Sequence, residues 1–193
     1  MSDRLSLILE FFEAIEPFNN IERSTYLSDL SRKETDSDHT WHMAMLAILL
    51  QGEINIEIDL NKVLRLILVH DLCEIYAGDT FAHLPQYGDR EKEREAAEKI
   101  FALLPPDLEE ELLDYWNDFT FGSSPEAQFA RALDRLQALA QNIFSAGRVW
   151  KENEIPEQMS RDLNREGMSL DPSLTEVFER LYERADEEGL WSE

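Results

Sequence analysis

Cysteine is almost absent from this sequence of 193 residues, which contains only Cys73. A single cysteine forms no intrachain disulfide, which is typical of proteins in a reducing cytosol. The first residues, MSDRLSLILEFFEAIE, lack the basic start and the small-residue cleavage site of a signal peptide. Long apolar runs are lacking as well, because the longest clear one, Met43–Leu50, falls far short of the roughly 18 residues of a membrane span. We therefore expect a soluble cytoplasmic protein that does not enter membranes.

Basic residues are scarce relative to acidic ones. The chain has 18 Lys and Arg against 41 Asp and Glu, a formal net charge of −23 at pH 7. A surface of this sign repels polyanions, which argues against a nucleic-acid polymer as partner. A small anionic ligand could bind only where a local cation attracts it. Since 43% of the residues are hydrophobic, including four Trp, five Tyr and ten Phe, the chain can still bury a sizeable core.

Glycine and proline are also sparse, seven of each, and they separate segments that have helical apolar spacing. Asp36 or Ser37 is expected to cap the second helix, and Asp59 the third, which ends at Gly78 in the C′ position. The predicted helices span 3–16, 36–51, 60–77, 89–104, 107–119, 125–151, 156–166 and 172–188. The predicted connections are a long loop or short helical turns at 17–33, a short strand or loop at 52–58, and a loop at 80–88.

No internal repeat, low-complexity tract or interdomain linker interrupts these helices. The sequence therefore predicts an all-α fold, a single-domain helical bundle over residues 1–193. Within it, the residues that carry chemistry lie at about 5–150, and further helices follow at 151–193.

Ionisable residues interrupt several apolar helix faces. The segment LILVHDLCEIYAGDT places His70 and Asp71 directly after an apolar run. His39 opens the preceding helix, and Asp134 lies on an otherwise apolar side of a later one. Buried polar groups are costly unless they are paired, hydrogen-bonded or bound to a metal. One divalent ion (Mn, Fe, Co, Ni, Zn or Mg) would compensate all four residues, because imidazole nitrogens and carboxylate oxygens suit these ions.

Each of these residues also has a simpler structural interpretation. On its own, the His70-Asp71 pair would be read as a structural ion pair, and Asp134 could pair with Arg131 or Arg135 on the helix surface. The metal interpretation gains support because the four residues occur in one order on separate helices.

The other histidines and the cysteine have weaker signals. His42 lies one turn past His39 and is expected to pack or to support a ligand. His83 falls in a predicted loop and is expected on the surface, and Cys73 is expected in the core.

The order His39, His70-Asp71, Asp134 resembles the H…HD…D signature of the HD-domain metal-dependent phosphohydrolase superfamily. Two longer strings, Glu34 with Ser37-Asp38-His39 and His70-Asp71-x-x-Glu74-x-x-x-Gly78-Asp79, resemble its 5′-deoxynucleotidase branch. The resemblance covers roughly residues 5–150. It implies an HD-type helical domain and a divalent-metal enzyme, usually a homodimer, that hydrolyses deoxynucleoside 5′-monophosphates.

The resemblance also implies roles for the matching residues. The implied metal ligands are His39, His70, Asp71 and Asp134. Glu74 matches the carboxylate that handles the nucleophilic water, and Asp79 matches a second acid near the sugar or the leaving oxygen.

Substrate-binding residues are expected ahead of the metal ligands. The stretch Arg23-Ser24-Thr25-Tyr26 resembles the family's Arg-x-Gly-Trp segment, whose Arg contacts phosphate and whose aromatic residue contacts the sugar. Here Thr25 and Tyr26 stand in place of Gly and Trp. Arg23, or Arg32 and Lys33 near the site entrance, can supply positive charge to a phosphate.

Three interpretations of the site stay open. The first is hydrolysis of (deoxy)nucleoside 5′-monophosphates to nucleoside and phosphate by a metal-activated water. The second keeps the HD site but acts on another phosphomonoester or on a cyclic or pyrophosphorylated nucleotide. The third is a non-catalytic module that binds a nucleotide through its metal. Glu74 distinguishes them, because a purely structural site has no use for an extra carboxylate.

Overall fold

The structure, a computed structural model, describes residues 3–79 and 89–191. The predicted loop at 80–88 and its His83 lie outside the described residues. The elements in chain order are α1 (Arg4–Ala14), β1 (Glu22–Tyr26), β2 (Lys33–Thr35), α2 (Asp36–Leu50), α3 (Leu60–Val69), α4 (Glu74–Ala77), α5 (Asp89–Phe101), α6 (Pro106–Phe121), α7 (Pro125–Phe144), α8 (Arg148–Glu152), α9 (Glu157–Asn164) and α10 (Pro172–Glu187). Short 3₁₀ turns lie at Glu16–Asn20 and Met168–Leu170. The predicted all-α class is confirmed.

The start of α2 is fixed by a reciprocal cap. The Thr35 hydroxyl accepts a hydrogen bond from the Asp38 backbone N–H at 3.3 Å, and the Asp38 carboxylate accepts one from the Thr35 N–H at 2.9 Å. The prediction of Asp36 or Ser37 as the cap was therefore wrong by one or two residues. The cap satisfies two backbone donors of the turn that carries His39.

A two-stranded antiparallel hairpin precedes α2, where the sequence predicted a loop or helical turns. β1 pairs with β2, with Glu22 opposite Thr35 and Tyr26 opposite Lys33. The prediction failed because neither short strand alternates apolar and polar residues. The hairpin brings the side chain of Arg23 in β1 to Asp36 in the first turn of α2.

The predicted helix over 60–77 is broken in the structure. α3 ends at Val69 and α4 begins at Glu74, and between them the Glu74 N–H donates to the Asp71 carbonyl at 2.9 Å in a tighter turn. Gly78 ends α4 as its C-cap, one position before the predicted C′, with a positive φ of 78° that suits glycine because it has no Cβ. His70 and Asp71 therefore lie in the turn between the two helices.

The predicted helix from 125 to 151 is also divided. α7 begins as expected, with the Ser124 hydroxyl accepting from the Ala127 N–H and Pro125 in the first turn. It ends at Phe144, because Ala146 and Gly147 adopt φ of 57° and 64° before α8 starts. Helical geometry cannot continue through positive φ.

The main core surrounds α7, which packs against α2, α3, α6 and α10. Fully buried leucines such as Leu66, Leu133 and Leu136 lie at its centre. Each contributes about 1.5–3 kcal/mol to stability relative to an exposed side chain. From the C-terminal region, α10 adds Leu174 and Phe178 to the same core.

The apolar stripe of α1 is largely uncovered, although the predicted helix forms. Leu5, Leu9 and Phe12 are 64%, 66% and 70% exposed, whereas Phe11 is buried in a second core cluster with α5 and α6. Within the described ranges, no helix combines the length and hydropathy needed to cross a membrane.

Candidate metal centre

The four predicted ligands come from three segments of the chain. His39 lies in the first turn of α2, His70 and Asp71 follow the end of α3, and Asp134 lies within α7. The Nε2 atom of His39 is 3.1 Å from Asp134 Oδ1 and 4.0 Å from Asp71 Oδ2. The Nε2 atom of His70 is 2.8 Å from Asp71 Oδ2. Of the four predicted ligands, the structure brings His39, His70 and Asp71 into one group, and Asp134 adjoins that group through His39.

The Nδ1 atoms of both imidazoles are already engaged. His70 Nδ1 lies 2.7 Å from the Ile67 carbonyl oxygen, and His39 Nδ1 lies 2.5 Å from Gln137 Oε1. Gln137 Nε2 donates to Glu34 Oε1 at 2.7 Å, which orients the amide so that its oxygen faces His39. Because each Nδ1 faces a pure acceptor, each Nδ1 carries a proton, and in the neutral imidazole each Nε2 presents a lone pair.

These lone pairs point at carboxylates. The Nε2 atoms of His39 and His70 are buried and make no hydrogen bond within the described chain. A lone pair about 3 Å from a carboxylate oxygen is repulsive unless a proton or a cation lies between them. The donor atoms of His39, His70 and Asp71 lie within 4.8 Å of one another, so one divalent ion could contact all three. The residues present therefore fit a metal ion.

The titration behaviour of these ligands agrees with a cation site. Burial works to lower the pKa of His70, but the adjacent Asp71 outweighs it and raises that pKa. Burial works to raise the pKa of Asp134, but His39 outweighs it and holds that pKa below its usual range. The carboxylate side of the centre is therefore ionised and attracts positive charge.

A second group of carboxylates lies beside the first. Ligand atoms of Asp36, Glu74 and Asp79 fall within 4.8 Å of one another. Burial, followed by the charge of Asp71, raises the pKa of Asp36 to about 7 and that of Glu74 to about 11. One oxygen of Asp36 and one of Glu74 are buried without a hydrogen-bond partner in the described residues. In the absence of a metal ion, Glu74 is therefore neutral at physiological pH, because an ionised carboxylate there would be buried beside the charge of Asp71.

Arg23 is the cation that the hairpin supplies to these acids. Its NH1 atom is 3.3 Å from Asp36 Oδ1 and 3.1 Å from Asp71 Oδ2, and its Nε atom is 3.9 Å from Glu34 Oε2. Burial lowers the pKa of Arg23, but Asp71 and the other acids outweigh it and raise that pKa. The guanidinium is thus bound to carboxylates of the centre.

The other three predicted substrate-binding residues lie farther out. Arg32 pairs with Asp38 at 2.6 Å. Lys33 and Tyr26 line a separate surface depression, where the Tyr26 hydroxyl donates to Glu152 at 3.2 Å. Their role in substrate binding stays a prediction.

Gln137 is not among the site residues predicted from the sequence, and Glu34 is named there only as part of a motif. Both are almost fully buried, and Thr25 donates to the second carboxylate oxygen of Glu34 at 2.7 Å. A signal was available, because Gln137 lies three residues after Asp134 and so on the same face of α7.

The two weaker candidates keep the places expected of them. His42 Nδ1 lies 3.8 Å from Glu34 Oε1 and is not part of the ligand cluster. Cys73 is buried in the core, and burial raises the pKa of its thiol far above the usual range. Cys73 is not among the described residues whose ligand atoms cluster around the centre.

Two cavities open onto the centre. The larger, about 320 Å³, has an aromatic wall that includes Trp116 and Phe119. The smaller, about 180 Å³, is lined by the hairpin residues Arg23 and Ser24 and by Asn142. The residues shared by both linings are Asp71, Glu74, Asp134 and Arg135.

A helical domain in which histidines and aspartates come together in the interior is typical of metal-binding helical proteins. The chain belongs to the HD domain family, whose model matches residues 15–171. A crystal structure of a predicted metal-dependent phosphohydrolase from Magnetospirillum magnetotacticum MS-1 is similar to it, with a TM-score of 0.91, 34% identity, and coverage of 98% of this chain and 96% of that one.

Curated relatives share a shorter region. The 5′-deoxynucleotidase HDDC2 of Homo sapiens is 30% identical over 137 residues, which cover 69% of this chain and 66% of the relative. The 5′-deoxynucleotidase YBR242W of Saccharomyces cerevisiae is 29% identical over 153 residues, 75% of this chain and 62% of the relative. The chain thus spans slightly less than two thirds of the length of these relatives.

Proposed function

We propose that this protein is a metal-dependent phosphohydrolase that converts (deoxy)nucleoside 5′-monophosphates to nucleoside and phosphate. The observation that carries the proposal is the pair of buried Nε2 lone pairs of His39 and His70, aimed at Asp134 and Asp71, with Glu74 beside them. The names of the human and yeast relatives and of the bacterial structure support the same chemistry.

The proposed cofactor is a divalent ion, one of Mn, Co, Fe, Ni, Zn or Mg, held by His39, His70, Asp71 and Asp134. When bound, it supplies an activated water nucleophile at neutral pH and polarises the phosphate. Such strong charge stabilisation is needed because phosphate-monoester hydrolysis is among the slowest uncatalysed reactions.

Glu74 is assigned to proton removal from the attacking water. Its side chain lines both cavities and lies close to Asp71 and Asp36. In the metal-free site burial and these acids raise its pKa to about 11, so the carboxyl is neutral there. Positive charge brought to the centre favours the ionised form, which is the form that accepts a proton.

Asp79 and Arg23 are assigned to the substrate. Asp79 lines the smaller cavity and belongs to the same carboxylate group as Glu74, where it can position or protonate the leaving oxygen. Arg23 lines that cavity too and reduces the repulsion between the carboxylates and an incoming phosphate.

The test is phosphate release from a panel of ribo- and deoxynucleoside 5′-monophosphates after chelation and reloading with Mn, Co, Mg or Zn. We expect metal-restored hydrolysis that Glu74→Gln lowers by about 10²–10⁴-fold. Turnover by Glu74→Gln at the normal rate would refute the general-base role. Metal retention without turnover of any nucleotide in the intact protein would point to a binding module.

We also propose a homodimer that works in the cytoplasm. Two exposed apolar stripes support self-association: Leu5, Leu9 and Phe12 on α1, and Trp41, Met45, Ile48 and Leu49 on α2. Light scattering at micromolar concentration tests it. We expect Trp41→Glu or Leu9→Glu to shift a dimer to a monomer, while Met159→Glu, an exposed control on α9, leaves the dimer intact. A monomeric wild type would contradict the proposal.

We propose in addition that residues 1–193 form one HD domain. The support is that α10, which follows the matched family segment, adds Phe178 and Tyr182 to the core around α7. A single cooperative unfolding transition seen by both tryptophan fluorescence and circular dichroism is expected. Two separate transitions would contradict it.

A further inference from the structure

Arg135 is the cation common to both cavities of the centre. The other residues shared by the two linings, Asp71, Glu74 and Asp134, are acids already assigned to the metal and to proton transfer. Arg135 follows Asp134 on α7, and its side chain is partly buried. A group that binds in either cavity therefore meets its guanidinium.

The guanidinium of Arg135 is not engaged by any residue that the structure describes. Among residues 3–79 and 89–191, the Arg135 side chain makes no hydrogen bond, no ion pair within 4.0 Å and no ring contact. Three other described Lys and Arg side chains also lack such contacts: Lys33, Arg90 and Arg165. Because Arg135 lines both cavities beside Asp71, Glu74 and Asp134, its charge is near the centre, and its donors are free of the described residues.

The other arginines of the cavities are already occupied. Arg23 is held by Asp36 and Asp71. Arg131 donates to the Phe119 carbonyl at 2.5 Å and to the Gly122 carbonyl at 2.9 Å, so it closes the end of α6. A phosphomonoester is close to a dianion at neutral pH. In a chain of net charge −23 it needs a cation that is not already neutralised.

We propose that Arg135 binds the phosphate group of the substrate through its unengaged guanidinium, at the junction of the two cavities. This inference rests on the proposed function and names a contact that the sequence did not indicate. A planar guanidinium offers two parallel N–H donors to phosphate oxygens. The phosphate is then held between Arg135 and the ligand cluster, and the nucleoside extends into one of the cavities.

The test is calorimetric titration of inorganic phosphate into the metal-loaded protein. We expect Arg135→Gln to weaken phosphate binding by about tenfold to a hundredfold, since a hydrogen bond to a charged group contributes roughly that factor. Arg135→Lys should recover part of the loss, because it keeps the charge but not the paired donors. Metal content should equal that of the wild type in both variants.

Arg165→Gln is the matched control, because Arg165 is an exposed, unengaged arginine that lines neither cavity. Equal phosphate affinity in wild type and Arg135→Gln, or no phosphate binding by the wild type, would overturn the proposal. If Arg135→Gln does not fold, Arg135→Lys decides: weaker binding supports the contact, and unchanged binding overturns it. Failure of the wild type to hydrolyse any nucleotide would refute the proposed function alone, because the titration needs no turnover.

Discussion

Gln137 Oε1 lies 2.5 Å from His39 Nδ1, and the other end of the same amide donates to Glu34 at 2.7 Å. A buried carboxylate is thereby connected through an amide to an imidazole whose Nε2 faces the proposed metal. The connection selects the tautomer of His39 and holds its ring, because rotation of the ring would break the contact to Gln137.

Gln137→Met should therefore weaken metal binding without preventing folding. The change keeps the volume of the side chain but removes the acceptor for His39 Nδ1, and supporting contacts of this kind contribute about 10–100-fold in metal affinity. Competition with a chelator of known affinity measures the effect. Gln141→Met is the control, because Gln141 lies one turn later, is equally buried and bonds to the Tyr26 carbonyl instead. Equal metal affinity in the two variants would show that the amide does not support His39.

The cap of α2 should contribute to stability. Thr35→Ala removes the acceptor for the Asp38 N–H, and loss of an N-cap costs about 0.5–2 kcal/mol. Urea unfolding measures the change, with Ser169→Ala, an exposed serine, as the control. An unfolding free energy equal to that of the wild type would mean that the hairpin alone fixes the start of α2.

The contribution of the α2 cap to stability should depend on pH, because the cap includes the carboxylate of Asp38. The hydrogen bond from Arg32, with those from Thr35, lowers the pKa of Asp38 to about 2, from an ordinary value of 3.8. The stabilisation is present above the ordinary value and is lost as the pH falls through about 2. Unfolding curves of wild type and Asp38→Asn should therefore differ at neutral pH and converge at strongly acid pH. A constant difference over that range would contradict the assigned shift.

The metal-free protein should lose stability as the pH rises. Glu74 has an ordinary pKa of 4.5 and a folded pKa of about 11, so between these values the folded state binds one proton more than the unfolded state. The unfolding free energy then falls with rising pH, by up to about 1.4 kcal/mol per pH unit for one group. Asp36, with a folded pKa of about 7, adds to the fall only below that pH.

Urea unfolding in the presence of a chelator, from about pH 6 to about pH 9, measures this slope. Glu74→Gln should flatten it, and so should a bound divalent ion, because positive charge favours the ionised carboxylate. A slope in Glu74→Gln equal to that of the wild type would show that Glu74 does not titrate as the geometry implies.

Much of the helical architecture was predictable because it depends on local signals. Ser124 with Pro125 marked the start of α7, and Asp59 marked the start of α3. The breaks were harder to predict. No glycine or proline stands between His70 and Cys73, where the chain tightens into turns, so the apolar period continues through the break. The sequence does not predict β1, the strand that contains Arg23, because its five residues show no strand pattern of their own and the strand forms by pairing with β2.

The residues proposed as ligands could be singled out because each is a costly polar residue on an apolar face, as His70 and Asp134 illustrate; their metal binding stays a prediction. The residues that orient them could not be singled out. Gln137 and Glu34 are polar side chains whose burial depends on how α7, α2 and the hairpin meet. In the sequence, Arg135 stands out only as a possible partner of Asp134. Its place in the lining of both cavities becomes visible only in the folded chain.

Metal content after purification and reloading is the most direct measurement of the proposed centre. Asp71 is a ligand in the proposed set, whereas Glu74 is proposed to remove a proton from the attacking water. We predict that Asp71→Ala loses both the bound divalent metal and the activity, and that Glu74→Gln retains the metal and loses turnover. Wild-type metal content in a folded Asp71→Ala variant, together with the same content in His70→Ala and Asp134→Ala, would contradict the site.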